Sequence, residues 1–153
     1  MSLRNELGDF SSIVCFKAVI TGVEDTLGPD GAAVVFTRAG RVRGEDLAKS
    51  LGLAGSKVPV EQLAATLDKA LGKDGTRLCR VTGAKDTGDT IEIETQETVC
   101  SAGEAMGSER TCTFTLGAIW GALEAVSGSR YEAKHTESVL RGGTSDKFVF
   151  KKI

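Results

Sequence analysis

Along the first half of the chain, apolar positions recur every three to four residues. Along most of the second half they recur every second residue. Phe10, Ile13, Phe16, Ile20, Val23 and Leu27 fall on one helical stripe, which Asp9 is placed to cap and Leu27-Gly-Pro-Asp-Gly31 to stop. Ala32 to Phe36 suits a buried strand or the apolar side of a second helix, and periodicity alone does not separate the two. Arg38-Ala-Gly-Arg-Val-Arg-Gly44 sets arginines around two glycines. It reads as a polar bend, and its guanidinium groups would also match a carboxylate or phosphate. Glu45 to Leu51 predicts a short helix. Pro59 opens another, in which Val60, Leu63, Ala64, Leu67, Ala70 and Leu71 keep helical spacing up to Gly72.

Thr76 to Val81 and Thr90 to Thr95 alternate, and Gly83 to Asp89 joins them as a hairpin. In the second of these strands Ile91, Ile93 and Thr95 share the inner face, while Glu92, Glu94 and Gln96 face water. Cys100 to Ser108 is a loop of small residues. Thr113 to Val126 then breaks the alternation, because its apolar side chains cover almost every face of a helix and Glu124 is its one charge. A bilayer needs roughly 20 apolar residues, so this shorter helix must be covered by protein. Gly117 and Gly121 lie on one of its faces, where a missing Cβ admits another backbone. After Ser127-Gly-Ser129, Arg130 to Leu140 alternates again, with Tyr131, Ala133, His135, Glu137 and Val139 on the less polar face. Arg141 to Asp146 is a loop, and Lys147 to Lys151 a last strand.

These elements predict an α+β fold, with N-terminal helices packed on a four-stranded antiparallel sheet and one central buried helix between two strand pairs. Residues 1–153 form one domain, with 1–72 mainly helical and 76–153 running strand, strand, helix, strand, strand. The net charge of −2, with both signs interspersed, leaves no footprint for nucleic acid. The chain has no long apolar run and no signal peptide, so a cytoplasmic protein without a membrane span is expected. Its four cysteines, Cys15, Cys79, Cys100 and Cys112, lack zinc-ribbon spacing, and reduced thiols are the expectation.

The candidate chemistry is sparse. His135 and Glu137 project the same way from one strand and suit a ligand with its orienting neighbour, or an acid and base. The alternative is a sheet face that meets water at one end. Cys100, Cys112 and His135 are the residue types of a three-ligand zinc site, but buried thiols are also ordinary core residues. The same imidazole is a possible haem ligand. Phe114, Ile119, Trp120 and Leu123, with Leu116, would line a cavity or fill a solid core. If a cavity exists, Tyr131, His135 and Glu137 would present polar tips to a ligand. No phosphate-binding glycine loop or Gly-x-Ser-x-Gly elbow occurs, which argues against ordinary nucleotide or hydrolase chemistry.

Several stretches resemble one family. They are Val19-Ile-Thr-Gly-Val-Glu-Asp-Thr-Leu-Gly28, Gly31-Ala-Ala with Ala39-Gly40, and above all Cys112-Thr-Phe-Thr-Leu-Gly-Ala-Ile-Trp-Gly-Ala-Leu-Glu-Ala-Val-Ser-Gly128, with the strand that ends in Glu137. The chain resembles the 4-vinyl reductase domain family, also described as predicted hydrocarbon-binding proteins. That resemblance implies a fold shared with TRAPP-complex subunits and the haem nitric-oxide-binding domain, and it favours helix over strand for Ala32 to Arg38. It also implies an apolar small molecule, an acyl chain or a tetrapyrrole, held between helices and sheet, commonly in a homodimer with a regulatory or assembly role and a protein partner. Two alternatives follow from the same resemblance. One is an auxiliary enzyme of (bacterio)chlorophyll vinyl reduction, which would need a separate reductase because the chain has no dinucleotide fingerprint. The other is a structural adaptor without a ligand. The family's two cysteines after the strand glutamate are missing here, where Glu137-Ser-Val-Leu140 and Gly142-Gly-Thr-Ser-Asp146 stand instead. A thiolate site at that place is therefore not expected.

Overall fold

The computed structural model describes residues 3–153. Three helices, α1 (Ile13–Ser50), α2 (Val60–Leu71) and α3 (Thr113–Ser127), accompany four strands: β1 (Arg80–Asp86), β2 (Thr90–Gln96), β3 (Tyr131–Glu137) and β4 (Asp146–Lys152). The sheet is antiparallel throughout, in the order β1-β2-β4-β3. This is the predicted α+β architecture. The inner face of β2 is as expected, with Ile91, Ile93 and Thr95 all buried. Phe148 and Phe150 of the central strand β4 are fully buried beside them.

The N-terminal half differs from its expected punctuation. Ser12, not Asp9, caps α1, its hydroxyl accepting from the Val14 N–H at 3.1 Å. Asp9 instead accepts from the Leu3 N–H at 2.6 Å. The expected stop at Leu27 to Gly31 is a kink within one long helical element. Gly28 leaves helical geometry at φ 75°, a conformation glycine adopts without strain, and Pro29 restarts the helix where a proline's missing N–H costs nothing. Ala32 to Phe36 is helical, and the expected bend at Arg38 to Gly44 is helix interior.

The reason lies on α3. A Cβ on Gly40 would stand 2.2 Å from the Phe114 carbonyl oxygen, and one on Gly44 would stand 1.9 Å from that of Ala118. Reciprocally, a Cβ on Gly117 would meet the Thr37 carbonyl oxygen at 2.5 Å, and one on Gly121 that of Arg41 at 2.1 Å. Four glycines thus bring two helical backbones into direct contact. The glycines that resemble a bend are the other half of the seam formed by Gly117 and Gly121. Arg41 closes the seam from the side, its guanidinium 4.1 Å from the Trp120 ring centroid and paired with Glu124.

Three other boundaries shift. β1 starts at Arg80, whereas Thr76 to Cys79 turn back over the end of α2, where the Leu78 N–H donates to the Leu71 carbonyl at 2.7 Å. The segment from Gly83 to Asp86, expected in the loop, is strand with a bulge between Val81 and Gly83. β3 ends at Glu137, and Val139–Arg141 form a 3-10 turn instead of its last residues.

Candidate functional site

Two neighbouring places carry polar chemistry, and the loop between β2 and α3 joins them. The first is a buried cluster under the sheet end. Cys100 and Cys112 form a disulfide, which corrects the expectation of reduced thiols. Cys15 and Cys79 stay free, and burial, with help from the Asp68 and Asp146 charges, pushes the Cys79 thiol up to about 12. Of the proposed zinc set, His135 meets Cys112, and through its backbone only: the His135 Nδ1 accepts from the Cys112 N–H at 3.4 Å. The two sulfurs, however, are bonded to each other and cannot serve as thiolate ligands in this state.

Because Nδ1 accepts, the ring proton belongs on Nε2. That nitrogen lies 3.3 Å from Asp146 Oδ1, close but out of line for a well-formed hydrogen bond, with both side chains almost wholly buried. The neighbour that orients His135 is therefore Asp146 and not Glu137. Glu137 turns to the rim, accepting from the Thr144 N–H at 3.1 Å and facing the Lys147 ammonium at 3.6 Å. Asp146 is held on every side. Ser101 Oγ donates to its Oδ2 at 2.9 Å, and the Val139 N–H donates to Oδ1 at 3.2 Å. Burial raises the Asp146 carboxyl, but the contact with His135 and the bonds from Ser101 and Val139 outweigh it and leave the group below its ordinary value. Ser101 gives its proton to Asp146 and not to His135, so the order of groups is not that of a hydrolase triad.

Asp146 was within reach of the sequence. Extending the alternation of β4 by one residue puts Asp146, Phe148 and Phe150 on one buried face, and β3 pairs His135 opposite Phe148.

The second place is a cleft of about 350 Å³ between α1 and the loop at 104–111. Ile20, Ala32, Ala33 and Phe36 of α1 form its apolar wall on both sides of the Gly28 kink, and Thr113 at the start of α3 closes one end. Its polar wall is Glu104 and Ser108 to Thr111. Arg110, with only 9% of its side chain exposed, spans from Glu24 at 2.7 Å to Glu104 at 2.7 Å. Lys17 also pairs with Glu104 and holds its carboxyl below the ordinary range. A larger depression, about 570 Å³, is lined by residues of α1 alone and is a surface groove with one wall.

None of the residues singled out in the sequence lines this cleft. Phe114 is the nearest in the chain, stacked edge-on against Phe16 at 5.3 Å just past Thr113. Ile119, Leu123 and Tyr131 are buried in the core, and Trp120 lies under Arg41 with its Nε1 lacking a hydrogen-bond partner. The Tyr131 N–H donates to Glu124 at 2.9 Å, which ties β3 to α3.

Known structures share this fold. The phenol-responsive sensory domain of the transcription activator PoxR, solved with phenol, matches at a TM-score of 0.70 and 20% identity, over 94% of this chain and 76% of that one. A trafficking protein particle complex subunit 3 from Naegleria fowleri, covalently bound to palmitic acid, matches at a TM-score of 0.55 and 15% identity, over 95% of this chain and 84% of that one. No family model matches the chain, and no curated protein matches its sequence. The predicted relation to the TRAPP fold is thus present at the level of structure. Among the described residues, no helix is long and apolar enough to cross a membrane.

Proposed function

We propose that this chain is a small-molecule binding module whose ligand occupies the cleft between α1 and the loop at 104–111. The observation that carries the reading is the cleft itself. Its volume of about 350 Å³ lies within the usual range of ligand pockets, roughly 300–1,000 Å³. It sets an apolar wall from α1 against a polar wall anchored by Arg110. A compact amphipathic molecule, such as a one-ring phenol or a short acyl chain, would put its hydrocarbon on Ile20, Ala33 and Phe36 and its polar head near Arg110 and Thr111. The fold's neighbours support this class of ligand, since one was solved with phenol and another with palmitic acid. Burial at about 0.8 kcal/mol per methylene supplies the affinity. A longer chain would have to displace Phe114 from Phe16 beyond Thr113, because Ile119, Leu123 and Tyr131 are packed in the core.

The reading includes a homodimer that relays occupancy to a protein partner. The outer face of α1 leaves Val34 at 70% and Val42 at 55% exposure, an apolar strip suited to self-association. Titration calorimetry with phenol, hexanoate and palmitate tests the ligand. Saturable binding of one of them, lost in Ala33→Phe with the far-ultraviolet spectrum unchanged, is the expected result. Absence of binding by all three to the unmodified protein would overturn the reading. Light scattering of the unmodified chain and of Val34→Glu/Val42→Glu addresses the dimer, which predicts a halved mass for the variant.

A further inference from the structure

We propose that the Cys100–Cys112 disulfide is a redox latch on the loop that walls the cleft. The bond joins the two ends of that loop, across a sequence separation of 12. Between the ends, the loop has no regular helix or strand. It is held by Arg110 on Glu24 and Thr21, by Lys17 on the Ala102 carbonyl and Glu104, by Arg141 Nη1 on the Ser108 and Arg110 carbonyls, and by the Gly107 N–H on the Leu140 carbonyl at 2.6 Å. Most of these contacts come from side chains that can follow a moving loop, so the covalent bond carries much of the restraint on its backbone.

Cutting the bond moves the loop for a steric reason. Bonded sulfurs sit about 2 Å apart, whereas two thiols need roughly 1.5 Å more to reach van der Waals contact. Cys112 cannot give way readily, because it is 1% exposed, precedes the first turn of α3 and donates its N–H to His135. The displacement therefore falls on Cys100 and the residues after it, in a turn outside the sheet. Ser101 is next in line, so its bond to Asp146 is the first to be strained. Glu104 and Arg110 then lose the backbone that aims them across the cleft.

The chemistry is thiol–disulfide exchange with a dithiol reductant. The reductant's two S–H groups give up two protons and two electrons, the Cys100–Cys112 bond breaks, each cysteine sulfur gains a hydrogen, and the reductant closes to its own disulfide. Both cysteines are buried, so attack requires the loop to open first. A molecule that braces the cleft of the oxidised chain would make the disulfide harder to reduce at equilibrium, and by linkage the reduced chain would bind that molecule more weakly by the same factor.

The latch rests on the cleft being the functional site, but its test does not need a ligand. Full-length Cys15→Ser protein, which removes the exposed free thiol, is compared oxidised and after dithiothreitol by hydrogen–deuterium exchange. Amides of 102–111 should exchange about tenfold faster when reduced, while β2 and β4 keep their protection. Unchanged loop exchange overturns the proposal, and so does loss of protection across the whole sheet, which would make the disulfide a staple for the entire fold. Phenol binding is then measured in both states. If phenol binds, about tenfold weaker affinity on reduction supports the latch and equal affinity overturns the link to the cleft. If phenol binds neither state, the loop's exchange alone decides the latch, and the choice of ligand is what fails.

Discussion

Gly44→Ala isolates the contact on which the helical layer depends. The added methyl would lie 1.9 Å from the Ala118 carbonyl oxygen and 2.7 Å from its carbon, both backbone atoms of α3. Ordinary contact begins above about 3.4 Å, so the two helices must separate by roughly an ångström or more, or α1 must rotate. Overpacking of this kind costs about 1–3 kcal/mol and more where backbone opposes backbone, while the gain in helix propensity from glycine to alanine returns up to about 1 kcal/mol. The net expectation is a loss of about 2 kcal/mol, a fall in Tm of roughly 4–8 °C for a chain of this size. Gly22→Ala is the control, because a Cβ there meets nothing within 4 Å and the same substitution should stabilise the helix slightly. Urea and thermal melts of the oxidised protein read both. A Gly44→Ala protein as stable as the unmodified chain, or a Gly22→Ala loss of equal size, would refute the close-contact argument.

Three further outcomes follow from the buried cluster and the seam. Asp146 sits below its ordinary value of 3.8, so the stability it adds is complete above about pH 4 and is lost as the pH falls toward its folded value. Asp146→Asn should cost about 2–4 kcal/mol at pH 7, and the gap to the unmodified protein should shrink in urea melts below pH 4. Removing the Cys100–Cys112 link by Cys100→Ser/Cys112→Ser should cost less than about 1 kcal/mol of global stability, since the loop gains freedom in the folded chain as well as in the unfolded one, with equal Tm before and after reductant. Arg41→Met should cost about 1 kcal/mol and alter Trp120 fluorescence, since it removes the cation from the indole face and leaves Glu124 only the Tyr131 N–H.

The sheet and the buried helix were legible because their periods are set by burial on one face or on all faces. Ile91 and Ile93, Phe148 and Phe150, and Leu116, Ile119 and Leu123 are buried where the pattern puts them. The errors came where one residue type serves two purposes. Gly40 and Gly44 carry the same letters as a flexible bend, and only the facing Gly117 and Gly121 distinguish a helix seam from a turn. β1 was displaced because an edge strand leaves Lys85 and Asp86 exposed and so reads as loop. The partner of His135 was hidden by a strand boundary set one residue late. The disulfide had no sequence signature, because its cysteines meet only after the loop at 101–111 folds back from β2 to α3.

The seam, the kink and the disulfide act on the same cleft. Close approach at Gly40 and Gly44 locks the second limb of α1 to α3, which fixes Ala32, Ala33 and Phe36 relative to Thr113. The Gly28 kink then directs the first limb, with Ile20 and Glu24, along the opposite side, so the cleft lies at the angle between two limbs of one helix. Both of these are backbone features, and a ligand cannot easily change them. The loop that carries Arg110 is different, because it is held by the Cys100–Cys112 bond, by the Gly107 N–H on the Leu140 carbonyl and otherwise mainly by side-chain contacts. Adjustment to a ligand, or to the redox state, therefore concentrates in that loop. Ser101 on Asp146 of β4 and the Cys112 N–H on His135 of β3 connect the two ends of that loop to the sheet, so a displaced loop pulls first on those two bonds.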